Sequence, residues 1–163
     1  MTMNIVKPTL YDLLYLCAHA RQDDRDQYQA IMGIPWNVDT VAADHFNRQG
    51  VKFALLDEDG TPLAAAGWDL TCSPGVWNSW MVGTDKGWDE HWRSITKACR
   101  SVMERMFSDG SAHRLETQSI QSRNKACLWY MRGLKMQYEG TRNGVCKNGE
   151  NILMYARVEN GNA

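Results

Sequence analysis

The sequence predicts a mixed α/β fold, with a mostly antiparallel central sheet of about six to seven strands and helices on both faces. Three observations predict it. The periodicities run strand, helices, three strands, helix, strand, helix, two strands. Turn chemistry separates the extended segments, as at Asp57-Glu58-Asp59-Gly60 and Ser73-Pro74-Gly75. The length, 163 residues, suits one compact domain.

Each element follows from its residues. Asn4 to Lys7 reads as a short strand, and Pro8-Thr9 opens a helix with Leu10, Leu13, Leu14 and Cys17 on one face. Asp23 to Met32 reads as a charged surface helix that Gly33 and Pro35 break. Val38 to Arg48 is a further helix ended by Gly50. Val51 to Leu56 and Pro62 to Leu70 pair across the Asp-Gly turn. Val76 to Val82 follows as a strand with Val76, Asn78, Trp80 and Val82 on one face, and Trp77, Ser79 and Met81 on the other.

The longest helix is predicted over Trp88 to Phe107, where Trp88, Trp92, Ile95, Cys99, Val102 and Met106 recur at helical spacing. Asp85 is its expected N-cap, and Asp89 and Glu90 suit its positive end. His91 on this helix is expected to face solvent. His113 to Ile120 alternates as a strand. Arg123 to Arg132 is a helix that Gly133 ends with φ > 0. Leu134 to Thr141 and Ile152 to Val158 form a last hairpin. One domain over residues 1–158 is expected, with a polar tail from Glu159 to Ala163 that frays.

Composition excludes several classes. The apolar fraction of 44% and charged fraction of 23% are those of globular proteins. The net charge of −1 argues against non-specific nucleic-acid binding, which needs a concentrated basic field. The five cysteines form no C-x-x-C pair, so they read as free buried thiols rather than a zinc or redox site. No signal peptide and no apolar run of membrane-spanning length is visible, so a location inside the cell is expected.

The stretch Arg114-Leu115-Glu116, Ser122 to Gly133, Glu139-Gly140-Thr141-Arg142 and Tyr155-Ala156-Arg157-Val158 resembles the GNAT (Gcn5-related N-acetyltransferase) superfamily in order and spacing. A narrower pattern resembles GNAT-like internal virion proteins of short-tailed bacteriophages. It comprises Pro62-Leu63-Ala64 with Gly67, Val76-Trp77, and Val82-x-x-Asp85-x-x-Trp88. The first resemblance implies an acetyl-CoA-dependent N-acetyltransferase. The second implies a virion or assembly component in the host cell cytoplasm or the particle, with phage proteins or further copies of the chain as partners.

The resemblance also implies where chemistry would sit. A pyrophosphate cradle between the central strand and the long helix falls on Val82, Gly83, Lys86 and Gly87. There, backbone N–H groups and the helix N-terminus would meet the phosphates. Trp88 is bulky for such a loop, and Asp85, Asp89 and Glu90 put negative charge beside it. The pantetheine arm would lie on the exposed edge of the central strand. Ser122 and Asn124 stand at the polar positions of the motif helix. The general-acid position, four residues before Gly133, is Trp129, which leaves Tyr130 as the acid. Glu116 leads the candidates for the base, with His113 beside it.

Trp68, Trp77, Trp80, Trp88, Trp92 and Trp129 are expected in or beside the cofactor cleft. Two readings therefore stand: a non-catalytic GNAT-fold virion or assembly protein with a filled cleft, and an active N-acetyltransferase. No metal is expected.

Overall fold

The computed structural model describes residues 3–159. In chain order the elements are β1 (Asn4–Val6), α1 (Leu10–Ala18), α2 (Gln22–Met32), α3 (Val38–Asn47), β2 (Val51–Leu56), β3 (Pro62–Leu70) and β4 (Val76–Gly83). There follow α4 (Asp85–Ser108), β5 (Arg114–Ile120), α5 (Asn124–Leu128), a π-helical turn (Trp129–Gly133), β6 (Gln137–Arg142) and β7 (Ile152–Val158). The strands form one seven-stranded sheet in the order β1-β2-β3-β4-β5-β7-β6. All neighbours pair antiparallel except β4 and β5. That pair is parallel because α4 carries the chain from the end of β4 back to the start of β5. Of the predicted tail, residues 160–163 lie outside the described residues.

The two faces of the sheet are buried by different helices. Alternation along β4 sends Trp77 and Met81 toward the core under α4 and α5, and Trp80 and Val82 toward the core under α1 and α3. α4 covers the first face with Ile95, Ala98, Cys99, Val102, Met103 and Met106. α1 covers the second with Leu13, Leu16 and Cys17, behind a reciprocal Thr9–Asp12 cap. His45 of α3 is buried there as well, stacked on Trp80 at 4.4 Å between ring centroids. A third, smaller cluster joins Ala30 of α2 to Ile120, Cys146 and Ile152.

The local structure departs from the sequence expectation at several points. α4 starts at Asp85, three residues before Trp88, and its N-cap is Thr84, whose side chain accepts from Gly87 N–H. The helix after β5 changes to a π-helical turn at Trp129, so its last turn is wider than a regular helix. Gly133 does not carry the positive φ; Lys135 does, at 60°. A Cβ on Gly133 would instead lie 2.7 Å from Trp129 Cδ1, so this glycine makes room for the indole. Gly50 is likewise required by close approach, since a Cβ there would lie 1.8 Å from Trp68 O. His91 is not a solvent-facing residue: its side chain is 13% exposed. Of the five cysteines, Cys72 in the β3–β4 turn is exposed, while Cys17, Cys99, Cys127 and Cys146 are buried. Burial pushes the thiols of Cys17 and Cys99 up to about 12.

Two outcomes follow. A Cβ on Gly87 would lie 2.4 Å from Leu63 O. Gly87→Ala should therefore lower unfolding stability by about 1–3 kcal/mol in chemical denaturation. Helix propensity alone would raise it by about 1 kcal/mol, so the sign of the change decides. Burial, with Arg48 nearby, lowers the His45 pKa to about 4. The unfolded chain takes up this proton near pH 6.5, where the native state refuses it, so stability falls as pH drops below that value. Between pH 7 and 5 the loss from His45 should reach about 2 kcal/mol, and His45→Gln should flatten that slope in urea titrations.

Candidate functional site

The parallel strands β4 and β5 pair only from Val76–Arg114 to Asn78–Glu116. Ser79 Oγ then donates to Thr117 Oγ1 at 2.6 Å, and beyond that link the strands form an open fork. Backbone N–H and C=O groups along an open edge need partners. α2 supplies them from two residues three apart, which share a helix face. Gln27 accepts from Ile120 N–H at 3.2 Å and donates to Gln118 O at 3.3 Å on the β5 side. Asp24 accepts from Gly83 N–H at 2.9 Å on the β4 side. The β4 edge is extended further by the chain entering α2: Arg21 N–H donates to Gly83 O at 3.0 Å, and Ala20 bridges Thr84.

Asp24 is the hub of this arrangement. It is 7% exposed, so the expectation of a solvated surface helix fails here. Its Oδ1 accepts from Arg123 at 2.7 Å and from Arg21 at 2.8 Å. Arg123 is 9% exposed and precedes α5. The Arg21 guanidinium lies 4.5 Å from the centroid of the Trp88 ring. Two guanidinium groups against one carboxylate leave a net charge of +1 in the fork.

At the β4–α4 junction a single residue, Thr84, separates strand from helix. Its Oγ1 accepts from Gly87 N–H at 3.0 Å and donates to Leu63 O at 3.1 Å. Lys86 pairs with Asp57 at 2.9 Å, and its ammonium holds the Asp57 carboxyl below the usual carboxylate range. Asp85 and Asp89 are exposed at this helix end. A diphosphate needs free N–H donors and positive charge. Here the Gly83 and Gly87 N–H groups are taken, Lys86 is paired, and the nearby free charges are negative. Trp88 packs its Nε1 where a Cβ on Gly83 would stand, at 2.5 Å. These residues do not fit the diphosphate of an acyl-CoA.

A cavity of about 730 Å³ crosses the fork between α2, α3, α4 and α5. Six of the chain's seven tryptophans line it. Trp77 is the exception, with Nε1 donating to Ser111 O at 2.9 Å. Trp36 takes its place. Trp129 meets Trp88 edge to face at 4.9 Å, and its Nε1 donates to Thr96 Oγ1 at 2.8 Å, fastening the π-helical turn to α4.

Of the residues expected to carry chemistry, Tyr130 alone lines this cavity. It is 9% exposed, and burial raises its pKa against the opposing pull of Arg123 and the Thr117 hydroxyl. Val82 is buried in the core under α1 and α3. Gly83, Lys86 and Gly87 are gathered at the strand–helix junction, each committed as described. Ser122 N–H donates to Glu150 Oε1 at 2.7 Å, and Asn124 is exposed. Glu116 lies away from the cavity, bonded to Arg114 at 2.5 Å, and Arg114 also holds Glu139. His113 packs beside Gly75 at the far end of β5. Sequence reasoning missed Arg21, Asp24, Gln27 and Arg123. For Asp24 and Gln27 the signal was excess polarity on α2, which reads as a solvated face; Arg21 and Arg123, each just before a helix, carried none.

Among the described residues no cluster of side chains could hold a metal ion, and no helix is long and apolar enough to cross a membrane. No protein-family model matches the sequence, and no curated protein does. Solved structures do. An acetyltransferase (GNAT family) from Bacillus anthracis superposes with TM-score 0.74 at 14% identity, covering 99% of this chain and 97% of that one. An N-acetyltransferase from Staphylococcus aureus Mu50 gives 0.76 at 12% identity, with 97% and 99% covered. AAC(6')-Ib in complex with ribostamycin and coenzyme A gives 0.70 at 14% identity over the whole of both chains. Fork, crossover helix and terminal hairpin together, this chain has the fold of the GNAT acetyltransferases.

Proposed function

We propose that this chain is a non-catalytic GNAT-fold binding protein, a component of a bacteriophage particle or of its assembly. The observation that carries the non-catalytic part is the Asp24 carboxylate on Gly83 N–H at 2.9 Å. It takes up the N–H donor of the strand end that an acyl-CoA would need. The Arg21–Gly83 backbone bond adds the chain's own backbone to the edge on which a pantetheine arm would lie. The Val82-x-x-Asp85-x-x-Trp88 pattern, with its resemblance to internal virion proteins, supports the particle as the place to find partners.

A second reading, an acyl-CoA-dependent N-acetyltransferase acting on an amine, draws on one observation: Tyr130 stands in the cavity beside the fork. In that reading Tyr130 would give its proton to the departing thiolate. Glu116, outside the cavity and bonded to Arg114, is poorly placed to take one from an amine.

Calorimetric titration with acetyl-CoA separates the readings. The wild-type protein should give no binding heat up to about 1 mM ligand. Binding at about 1–10 µM, weakened in Lys86→Ala, would overturn the non-catalytic reading in favour of the second. Asp24→Ala should cost about 3–5 kcal/mol of stability in chemical denaturation, because it leaves Arg123 buried without its counter-charge. A cost below about 1 kcal/mol would remove Asp24 as the hub of the fork.

A further inference from the structure

Positive charge is not spread evenly over this protein. Of its 18 lysines and arginines, six form ion pairs, and Arg25, Lys52 and Lys147 donate to backbone carbonyls. Among the described residues the other nine have neither kind of partner. Six of those nine are Arg93, Lys97, Arg100, Lys125, Arg132 and Lys135, all exposed. Residues 91–103 and 117–138, which carry them, contain no Asp or Glu. The net charge of −1 over the whole chain conceals this concentration.

The fold brings the two segments together. Arg93, Lys97 and Arg100 recur at spacings of four and three, so they form one exposed ridge of α4. Trp129 touches α4 at Trp88 and Thr96, and Leu134 shares a cavity wall with Cys99. The α5 and π-helical segment, with its three cations, therefore runs beside α4 for about three turns. Neighbouring acids do not cancel this face. Glu104, one turn past Arg100, is bonded to Arg157 at 2.5 Å, and Glu139 is bonded to Arg114. Asp89 and Glu90 lie one turn before Arg93 and close the face at that end.

Unpaired like charges gathered on one face create a local field that attracts a polyanion. Half of the six are lysines. Protein–protein interfaces are depleted in lysine, whereas interfaces with nucleic acid are far more positive. Arg93 to Arg100 spans about 10 Å of helix, a row that meets several successive phosphates rather than one carboxylate. Unpaired bases would need open aromatic faces. Here Arg93 lies over the Trp92 ring at 5.2 Å, and Trp129 is engaged with Trp88. We infer that the exposed face of α4 and α5 binds a nucleic-acid duplex through its phosphates, without reading base sequence. The inference goes beyond the fork and holds whether or not acyl-CoA binds there.

Fluorescence anisotropy with two labelled DNA duplexes of about 20 base pairs and unrelated sequence tests it. Both should bind with affinities within about threefold of each other. Each should lose about 10²–10³-fold in affinity between 50 and 200 mM salt, as expected for four to six phosphate contacts. The triple variant Arg93→Gln, Lys97→Gln, Arg100→Gln should weaken binding about tenfold or more and make the salt slope shallower by about 2.7. A control with the same loss of charge replaces the three other unpartnered cations: Lys7→Gln, Arg105→Gln, Arg142→Gln. It should bind like the wild type. All six positions are exposed, so neither variant disturbs the core. No anisotropy change at 50 mM salt up to about 100 µM protein overturns the proposal. So does a control variant that loses as much as the first. With the wild type alone, the proposal also fails if a single strand binds more tightly than the duplex. Displacement of the duplex by polyglutamate at equal charge would assign the face to acidic proteins and overturn it as well.

Discussion

Asp24 places one carboxylate, removed from water, between two guanidinium groups and a backbone amide that come from three different parts of the chain. Burying that charge carries a desolvation cost of several kcal/mol, which such convergent, charge-assisted bonds can offset only in good geometry. The position of α2 follows from it. Once Asp24 is docked, Gln27 one turn later falls on the β5 edge, and Tyr28 and Ile31 become a wall of the cavity. The fork is thus held by a helix inserted between its arms as much as by pairing within the sheet.

The same contact separates what holds the fold from what lies at its centre. Cores tolerate wide sequence change when volume and pattern persist. The alternation of Trp77, Trp80, Met81 and Val82 against two helical layers preserves the architecture at 12–14% identity to solved acetyltransferases. Ligand chemistry depends on fewer atoms. Here the strand end carries a carboxylate acceptor, the helix end is acidic, and a tryptophan occupies the space beside Gly83. A shared fold leaves such a site free to diverge.

Much of the fold was legible in the sequence, because it rests on local signals. Strand alternation, the apolar stripe of α4, the Asp-Gly turn and the helix start at Pro8-Thr9 each act within a few residues. The site was less legible, because it is made of long-range polar pairs. Asp24 and Arg123 are 99 residues apart, and Gln27 and Ile120 are 93 apart. No periodicity marks a single carboxylate on a charged helix as the buried one. The tryptophans carried a clearer signal, since large aromatics seldom stay in water, and five of the six expected at the cleft line it. Trp77 was misplaced because alternation gives the face of a strand but not the position along it. The wide turn at Trp129 was invisible because π-helical geometry arises from packing, here against Thr96, rather than from composition.

The distribution of thiols has a practical consequence. Four cysteines are sealed in the interior, two of them with thiols too weakly acidic to react near neutral pH. Cys72 stands in water on the β3–β4 turn, at the opposite end of β4 from Gly83. The native protein therefore comes with one natural attachment point for a dye or spin label. The unaltered sequence can be conjugated there, and its orientation or neighbours followed, without touching the fork.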